Sequence, residues 1–419
     1  MPDLFNDSTD TDAELNLPMD SENEEDLTGA TASALSATVV QDTDWTTETL
    51  LSQLKKQNIK LNPRFQRRDA WDDERKSKFI ESLLLGLPIP QIVLAESNEK
   101  RGTFIVIDGK QRLLALQKFG LPTQDSKNTL KLRGLTLLSE LNNHTFADIQ
   151  TKPQLQHFLP VFENQTVRTT VIRGWKNEDI LYTIFYRLNS GSLPLSAQEL
   201  RHVLHPGLFL DFAFEFTDSS KEIPSLFSKR PGPDFRMRDV ELLIRHLGFK
   251  NFAEAYGGDL KKFLDSTSLE LNKQWQSPYG NGTISWGNLI TSQAHQLDLA
   301  IAFTKQVFPN GTAFKKWTVE GYEQRFNRAI FDVMAFYFSE PEIREAATPH
   351  IDGVRQAFEV LCDSNAQFRR SIETTTKTPY ATYSRLALWG QMLVSTIGLP
   401  LVSVDIMTAL LAGAKSSNQ

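Results

Sequence analysis

The sequence has almost no cysteine, and this limits its chemistry. Cys362 is the only cysteine among 419 residues. An intrachain disulfide is therefore excluded, and so is a zinc site built from several cysteines. The N-terminus also lacks a basic segment followed by an apolar stretch, so no secretory signal is expected. Both absences fit a reducing compartment, and we predict a cytoplasmic location.

Long apolar runs are scarce. The one membrane candidate is residues 386–404, an apolar stretch without charge whose length could just cross a bilayer. Gly398 and Pro400 interrupt this stretch, and these residue types punctuate helices. We therefore predict two buried helices with a break between them, and no membrane partner.

Positive charge is missing from the first 44 residues, which hold twelve Asp and Glu and no Lys or Arg. Such a segment buries too little apolar surface to offset its ordering entropy, so we predict a disordered acidic tail over residues 1–44. The remaining 45 basic and 39 acidic residues give the rest of the chain about +6. This charge suits a polyanionic partner, although a solubilising tail on an ordinary body fits it equally well.

The spacing of apolar residues predicts an α/β unit followed by helices. Strands are predicted at 91–95 and 104–107, and helices at 45–57, after Asp72 or Asp73, and at 111–119. Beyond about residue 205 the apolar residues recur mostly at helical intervals. We predict an α/β domain over residues 45–205 and a mainly α-helical portion over residues 206–419.

Residues 104–116 read FIVIDGKQRLLAL. Asp-Gly between apolar runs suits a hairpin turn. However, Leu113, Leu114 and Phe119 match one face of a helix, so we predict that the strand turns at Gly109 directly into a helix.

The first turn of that helix predicts an anion site. Free backbone amides at a helix start attract anions, and glycine lets a ligand approach the backbone closely. Lys110 and Arg112 carry positive charge where the helix dipole favours acids, and an anionic ligand would explain their placement. Asp108 is predicted to hold a divalent ion or to orient a water beside that anion.

A second polar block, FYRLNSGSLPLSAQELR, covers residues 185–201. Asn177, upstream of this block, is predicted to cap the start of a helix that would end near Asn189. Ser196 and Glu199 have capping-box spacing, and we favour a purely structural role for both. Asn189 and Arg201 remain candidates to contact a bound phosphate or base.

Three blocks together resemble the N-terminal-domain family of GmrSD-type type IV restriction systems. They are PRFQRRDAWDDERKSKFIESLLLGLPIPQIVL, FIVIDGKQRLLAL and FYRLNSGSLPLSAQELR, in this order. The resemblance implies a ParB/sulfiredoxin-like nucleotide-binding core followed by helices. It also implies defence against phage or foreign DNA, with nucleotide binding and hydrolysis at an Asp-Gly-Gln-Gln-Arg motif.

Site residues follow from that resemblance, position by position. It implies catalytic roles for Asp108, Gln111 and Arg112, with Mg²⁺ at Asp108. The nucleotide-binding residues it implies are Arg64, Arg67, Gly109, Lys110, Asn189 and Arg201. Lys110 departs from the family, which commonly has Gln there, and a cation at this position could strengthen phosphate binding.

Full-length systems of this type also carry an HNH-type nuclease region, for which the sequence offers no convincing counterpart. The histidines are scattered, at His144, His157, His202, His205, His246, His295 and His350. We therefore expect an NTPase whose partners are a nucleoside triphosphate, DNA and a separate nuclease or effector subunit. Two alternatives stay open: a ParB-like DNA nuclease, and a non-enzymatic DNA-binding regulator with a degenerate pocket. Homo-oligomerisation is also left open.

Overall fold

The computed structural model describes residues 35–61, 70–121, 129–188, 196–227, 232–234, 236–374 and 377–416. Two compact units divide the chain between Leu204 and His205. We call them the N-terminal unit and the C-terminal unit. The predicted domain limit at residue 205 stays a prediction, because compactness alone does not show independent folding.

A mixed four-stranded sheet forms the centre of the N-terminal unit. Its strands are β1 (Val39–Thr46), β2 (Ile92–Glu96), β3 (Phe104–Asp108) and β4 (Thr166–Arg173). The spatial order is β1-β4-β2-β3, in which β2 runs parallel to β4 and the other neighbours are antiparallel. The predicted strands at 91–95 and 104–107 are confirmed to within one residue.

Helices surround this sheet. They are α1 (Thr47–Lys55), α2 (Asp73–Leu84), α3 (Lys110–Gly120), α4 (Phe146–Thr151), α5 (Phe158–Asn164), α6 (Glu178–Leu188) and α7 (Ala197–Leu204). Asp72 caps α2 by accepting a hydrogen bond from the backbone N of Arg75 at 2.7 Å. Asn177 accepts from the backbone N of Ile180 at 3.3 Å near the start of α6. The predicted capping residues are therefore confirmed.

Strands β2 and β3 are buried on both faces, whereas β1 is largely exposed. Val93 and Ala95 of β2 share a buried cluster with Leu181 of α6 and Leu200 of α7. Successive side chains of a strand point to opposite faces, so Leu94, which is also buried, faces the other side. Burial on both faces explains why β2 and β3 read as nearly continuous apolar runs rather than as alternating ones.

Asp73 connects α2 to two other segments. Its carboxylate oxygens lie 2.9 Å from Nζ of Lys118, near the end of α3, and 2.6 Å from Nη2 of Arg133. Burial alone would raise the pKa of this carboxyl, but the hydrogen bond and charge of Lys118, with Arg133, bring the pKa below its ordinary value. The ionised Asp73 carboxylate therefore connects α2 to α3 near the end of α3, whereas Asp108 precedes the start of that helix.

The predicted acidic tail extends too far along the chain. Residues 39–44 belong to β1, which pairs along its whole length with β4, and Trp45 of β1 packs edge-on against Phe104 at 5.5 Å. Pairing with a neighbouring strand needs only main-chain hydrogen bonds, so composition underestimates order here. Residues 1–34 lie outside the described residues.

The C-terminal unit is mainly helical, as predicted. Its helices are α8 (Leu208–Ser219), α9 (Arg238–Phe252), α10 (Leu260–Gln274), α11 (Trp286–Val307), α12 (Arg328–Phe338), α13 (Pro341–Ala347), α14 (Ile351–Ser364), α15 (Ala366–Glu373), α16 (Pro379–Ile397) and α17 (Val402–Ser416). Short hairpin strands are β5 (Pro278–Tyr279), β6 (Ile284–Ser285), β7 (Trp317–Thr318) and β8 (Gly321–Tyr322).

The uncharged stretch 386–404 lies in two helices with a break between them, as predicted. Helix α16 ends at Ile397, Gly398 caps it with φ 70°, and α17 begins at Val402. In the part of the chain that the structure describes, every helix is too short or too polar to cross a bilayer.

A close helix contact at Gly390 gives a stability prediction. A β-carbon on Gly390 would lie 2.3 Å from Oη of Tyr337 and 2.6 Å from Cγ2 of Val404. We expect Gly390→Ala to destabilise the C-terminal unit by about 1–3 kcal/mol through overpacking, measured by urea unfolding.

Gly353→Ala is the matched control, since its β-carbon would meet its nearest neighbour, Cγ2 of Thr396, at an ordinary 3.6 Å. In helix α14 this change should stabilise by roughly 0.5–1 kcal/mol. An unchanged unfolding midpoint for Gly390→Ala would show that α16 and α17 adjust without cost.

Candidate functional site

The strand-to-helix turn lies where the sequence predicts it. Asp108 is the last residue of β3, Gly109 is the N-cap of α3 with φ 94° and ψ 14°, and Lys110 begins the helix. The hairpin interpretation of Asp-Gly is therefore wrong. The positive φ is a left-handed conformation that glycine adopts without a steric penalty.

A bulge precedes Asp108. Val93 pairs with Asp108 and Leu94 pairs with Val106, so Ile107 is an extra residue on β3. Bulges bend the strand and change the direction of the neighbouring side chains, and they are frequent next to functional sites. The direction of the Asp108 carboxylate is thus set by sheet geometry as well as by its own rotamer.

The start of α3 has no side-chain cap, because its N-cap residue is glycine. In the same unit, Thr46, Asp72 and Thr145 cap the starts of α1, α2 and α4 with their side chains. A helix start without such a cap presents backbone N–H donors and the positive end of the dipole to a ligand, and anions bind favourably there.

Asp108 and Arg112 form an ion pair across this turn. Nη2 of Arg112 lies 2.8 Å from Oδ2 of Asp108, and the side chains are 8% and 19% exposed, respectively. Nε of Arg112 is buried and makes no hydrogen bond to the described residues. A β-carbon on Gly109 would lie 3.3 Å from this Nε. Arg112 therefore keeps one buried donor beside the glycine.

Lys110 is paired with Glu199. Its Nζ donates to Oε1 of Glu199, and the two side chains are 6% and 4% exposed. The other oxygen of Glu199 accepts from the backbone N of Ser196 at 2.7 Å, and the Ser196 hydroxyl accepts from the backbone N of Glu199 at 3.0 Å. The predicted capping box is confirmed, and Glu199 has a second contact that capping does not explain.

Gln111 connects the turn to the segment before α2. Its Oε1 accepts a hydrogen bond from the backbone N of Trp71 at 3.3 Å. Trp71 is buried and packs edge-on against Phe79 at 5.8 Å, and its carbonyl accepts from Nζ of Lys76. Trp71 is therefore a core residue.

The remaining predicted site residues divide into two groups. Arg201 is completely buried in α7, and its Nη1 donates to Oε1 of Gln198 at 2.7 Å. Arg64, Arg67 and Asn189 lie outside the described residues. The structure thus brings Asp108 to Arg112 into one turn and joins Lys110 to the second sequence block through Glu199, while the ligand-binding roles stay predictions.

Two features of this site are not predicted from the sequence. The first is the hydrogen bond of Glu199 to Lys110, and the second is the neighbouring buried amide of Gln198, whose Nε2 has no hydrogen-bond partner among the described residues. A lysine at a buried helix start needs a nearby acid. No spacing rule selects one acid among 51, however, because the partner is 89 residues away.

The site offers a limited fit to Mg²⁺. Within the described residues no hydrogen bond reaches Oδ1 of Asp108, while Oδ2 accepts from Arg112. Mg²⁺ is commonly held by one or two carboxylates together with substrate phosphates, so a single available oxygen suits a metal that arrives with a nucleotide.

An open cleft of about 680 Å³ lies in the C-terminal unit, lined in part by Phe249, Lys250, Phe336, Glu340 and Ile406. Nζ of Lys250 lies 3.0 Å from the Glu340 carboxylate and 4.7 Å from the centre of the Phe336 ring. None of the predicted site residues lines this cleft.

These features define an α/β domain with an uncapped strand–glycine–helix turn, followed by a helical unit. Residues 47–205 match the family described as GmrSD restriction endonuclease, N-terminal domain, so this part of the chain is similar to that family. The match covers less than half of the chain and includes Asp108 to Arg112 and Glu199. Comparison with curated proteins and with solved structures gave no match, so the ParB/sulfiredoxin-like fold stays a prediction.

Proposed function

We propose that the N-terminal unit binds a nucleoside triphosphate at the start of α3 and hydrolyses it with Mg²⁺, as part of a restriction-type defence directed at foreign DNA. The observation that carries the proposal is the buried Nε of Arg112, which has no hydrogen-bond partner in the described residues and lies next to Gly109. A buried donor without a partner costs about 1–3 kcal/mol, which a phosphate oxygen would recover.

The roles follow from the geometry of the turn. Phosphate oxygens would accept from Nε of Arg112 and from the first-turn amides of α3, which Gly109 leaves accessible. Asp108 holds the guanidinium in this orientation through Nη2. When bound, Mg²⁺ supplies positive charge that neutralises the phosphates, and Oδ1 of Asp108 would hold it.

Foreign DNA fits as the second partner, because the chain beyond residue 44 carries about +6 and a basic surface attracts phosphate backbones. We further propose that DNA cleavage depends on a separate nuclease or effector subunit, and that the protein acts in the cytoplasm. Nucleotide hydrolysis would then control the response rather than cut DNA itself.

Arg112→Lys tests the proposal most directly. Lysine keeps the positive charge but cannot supply both the bond to Asp108 and the Nε donor. We expect nucleotide affinity and turnover to fall by about 10–100-fold, the loss of one or two charge-assisted hydrogen bonds. The assay uses the full chain with Mg²⁺ and each of ATP, GTP, CTP and UTP, with and without DNA.

Arg133→Ala is the matched control for that assay. Arg133 also pairs with an aspartate of the N-terminal unit, but its side chain is 59% exposed and its partner is Asp73. Its removal should leave nucleotide affinity unchanged. Equal activity of wild type and Arg112→Lys would remove the basis for the nucleotide site.

One observation favours a second candidate, a non-enzymatic DNA-binding regulator. Lys110 and Arg112 both have carboxylate partners, which reduces the positive charge available to a triphosphate. The same assay separates the two functions: the regulator would turn over none of the four nucleotides, yet would bind DNA with an affinity that falls as salt is raised.

A further inference from the structure

The Lys110–Glu199 ion pair joins two parts of the sequence that are 89 residues apart, and both of its side chains are almost completely buried. Removing two charges from water costs several kcal/mol per ion, so a buried pair is weak evidence for added stability. The atoms that the pair connects are more informative about its role.

Glu199 uses both of its carboxylate oxygens. Oε1 accepts from Nζ of Lys110, which is the first residue of α3, and Oε2 accepts from the backbone N of Ser196, just before α7. One carboxylate therefore fixes the start of α7 relative to the start of α3. Lys110 follows Gly109 directly, so a displacement of this pair would also displace the turn.

We propose that Lys110 is a positioning residue and does not contact the phosphates. Its ammonium holds Glu199, and through it the start of α7, beside the turn at Gly109. This inference rests on the proposed nucleotide site and assigns Lys110 a role different from the phosphate binding that the sequence resemblance implies. The Lys110 ammonium is almost completely buried against Glu199, and a phosphate that drew it away would leave the Glu199 carboxylate buried without its cation, which is strongly unfavourable.

A double-mutant cycle tests the proposal in the full chain: wild type, Lys110→Gln, Glu199→Gln and the double variant. Glutamine at position 199 can still accept from the backbone N of Ser196, and two glutamines can hydrogen-bond to each other. The dissociation constants of the Mg²⁺ complexes of ATP, GTP, CTP and UTP are measured for each protein.

We expect each single variant to weaken binding of the preferred nucleotide at least tenfold, because it removes one charge of a buried ion pair and disturbs the geometry that the pair holds. The double variant should bind within threefold of wild type, since the neutral pair restores the geometry. A phosphate ligand at position 110 predicts instead that the double variant binds as weakly as Lys110→Gln. That result would overturn the proposal.

Thermal unfolding of the same four proteins supplies an independent readout. Both single variants should lower the midpoint, and the double variant should regain most of the loss. If a single variant fails to fold, the double variant still distinguishes a positioning role of Lys110 from a phosphate contact, because it lacks the lysine charge altogether. Lys118→Gln is the control on the same helix: Lys118 pairs with the partly exposed Asp73, and its loss should leave nucleotide affinity unchanged.

The outcomes separate this inference from the proposed function. If wild type binds none of the four nucleotides, the proposed function fails and the positioning role fails with it. If wild type binds and all three variants bind equally well, the nucleotide site stands and the positioning role of Lys110 is wrong.

Discussion

Asp332→Ala is expected to destabilise the C-terminal unit by about 3–5 kcal/mol, the largest single effect we predict in this unit. Asp332 accepts from Nε and Nη2 of Arg245 at 2.5 and 2.6 Å, and from Nη2 of Arg385 at 3.1 Å. All three side chains are at most 2% exposed. Two buried guanidiniums would therefore lose the carboxylate they share.

The measurement is urea unfolding of the full chain, followed by circular dichroism in the helical region. Asp332→Asn should cause most of the same loss, because it keeps the shape but removes the charge. Asp352→Ala is the matched control: Asp352 pairs with Arg355 but is 88% exposed, and surface pairs contribute about 0–1 kcal/mol. Similar losses for Asp332→Ala and Asp352→Ala would contradict the importance of burial.

Gly109→Ala is expected to abolish nucleotide binding and to destabilise the N-terminal unit by about 1–3 kcal/mol. The φ of 94° is strained for any residue with a β-carbon. That β-carbon would also lie 3.1 Å from Cγ1 of Ile92, 3.3 Å from Cα of Ile92 and 3.3 Å from Nε of Arg112. It would occupy the space beside the donor that we assign to the phosphate.

Gly102→Ala separates strain from crowding. Gly102 lies between β2 and β3 of the same unit with φ 78°, but its β-carbon would meet no atom within 4 Å. Its replacement by alanine should lower the free energy of unfolding only by the cost of a positive φ, about 1–2 kcal/mol, and should leave nucleotide affinity unchanged. The prediction for Gly109 is measured by titration with the four Mg²⁺–nucleotide complexes and by thermal unfolding. Wild-type affinity in Gly109→Ala would show that the ligand does not approach this turn.

Sequence patterns correctly predicted the helix caps and the helix break, which depend on residues close together in the chain. The cap at Asp72, the capping box of Ser196 with Glu199 and the break after Ile397 each rest on residues a few positions apart. Interactions at such spacing act within one turn of backbone, so the sequence contains the information they need.

The strand β1 shows where composition was insufficient. Its acidic residues suggested disorder, but β1 is held by hydrogen bonds to β4, a strand more than a hundred residues later in the chain. The energy of that pairing belongs to both strands together, so neither sequence segment reveals it alone.

The sequence by itself determined that a strand ends at Asp108, that Gly109 turns the chain and that two cations begin the next helix, because hydrophobic periodicity and glycine stereochemistry act over neighbouring residues. Only the tertiary structure decided which acid Lys110 meets. Arg112 pairs with Asp108 one helical turn away, whereas Lys110 pairs with Glu199 from the other sequence block. The partner of Lys110 is chosen by the folded backbone, which brings residues 89 positions apart within hydrogen-bond distance, and chain spacing does not encode that choice.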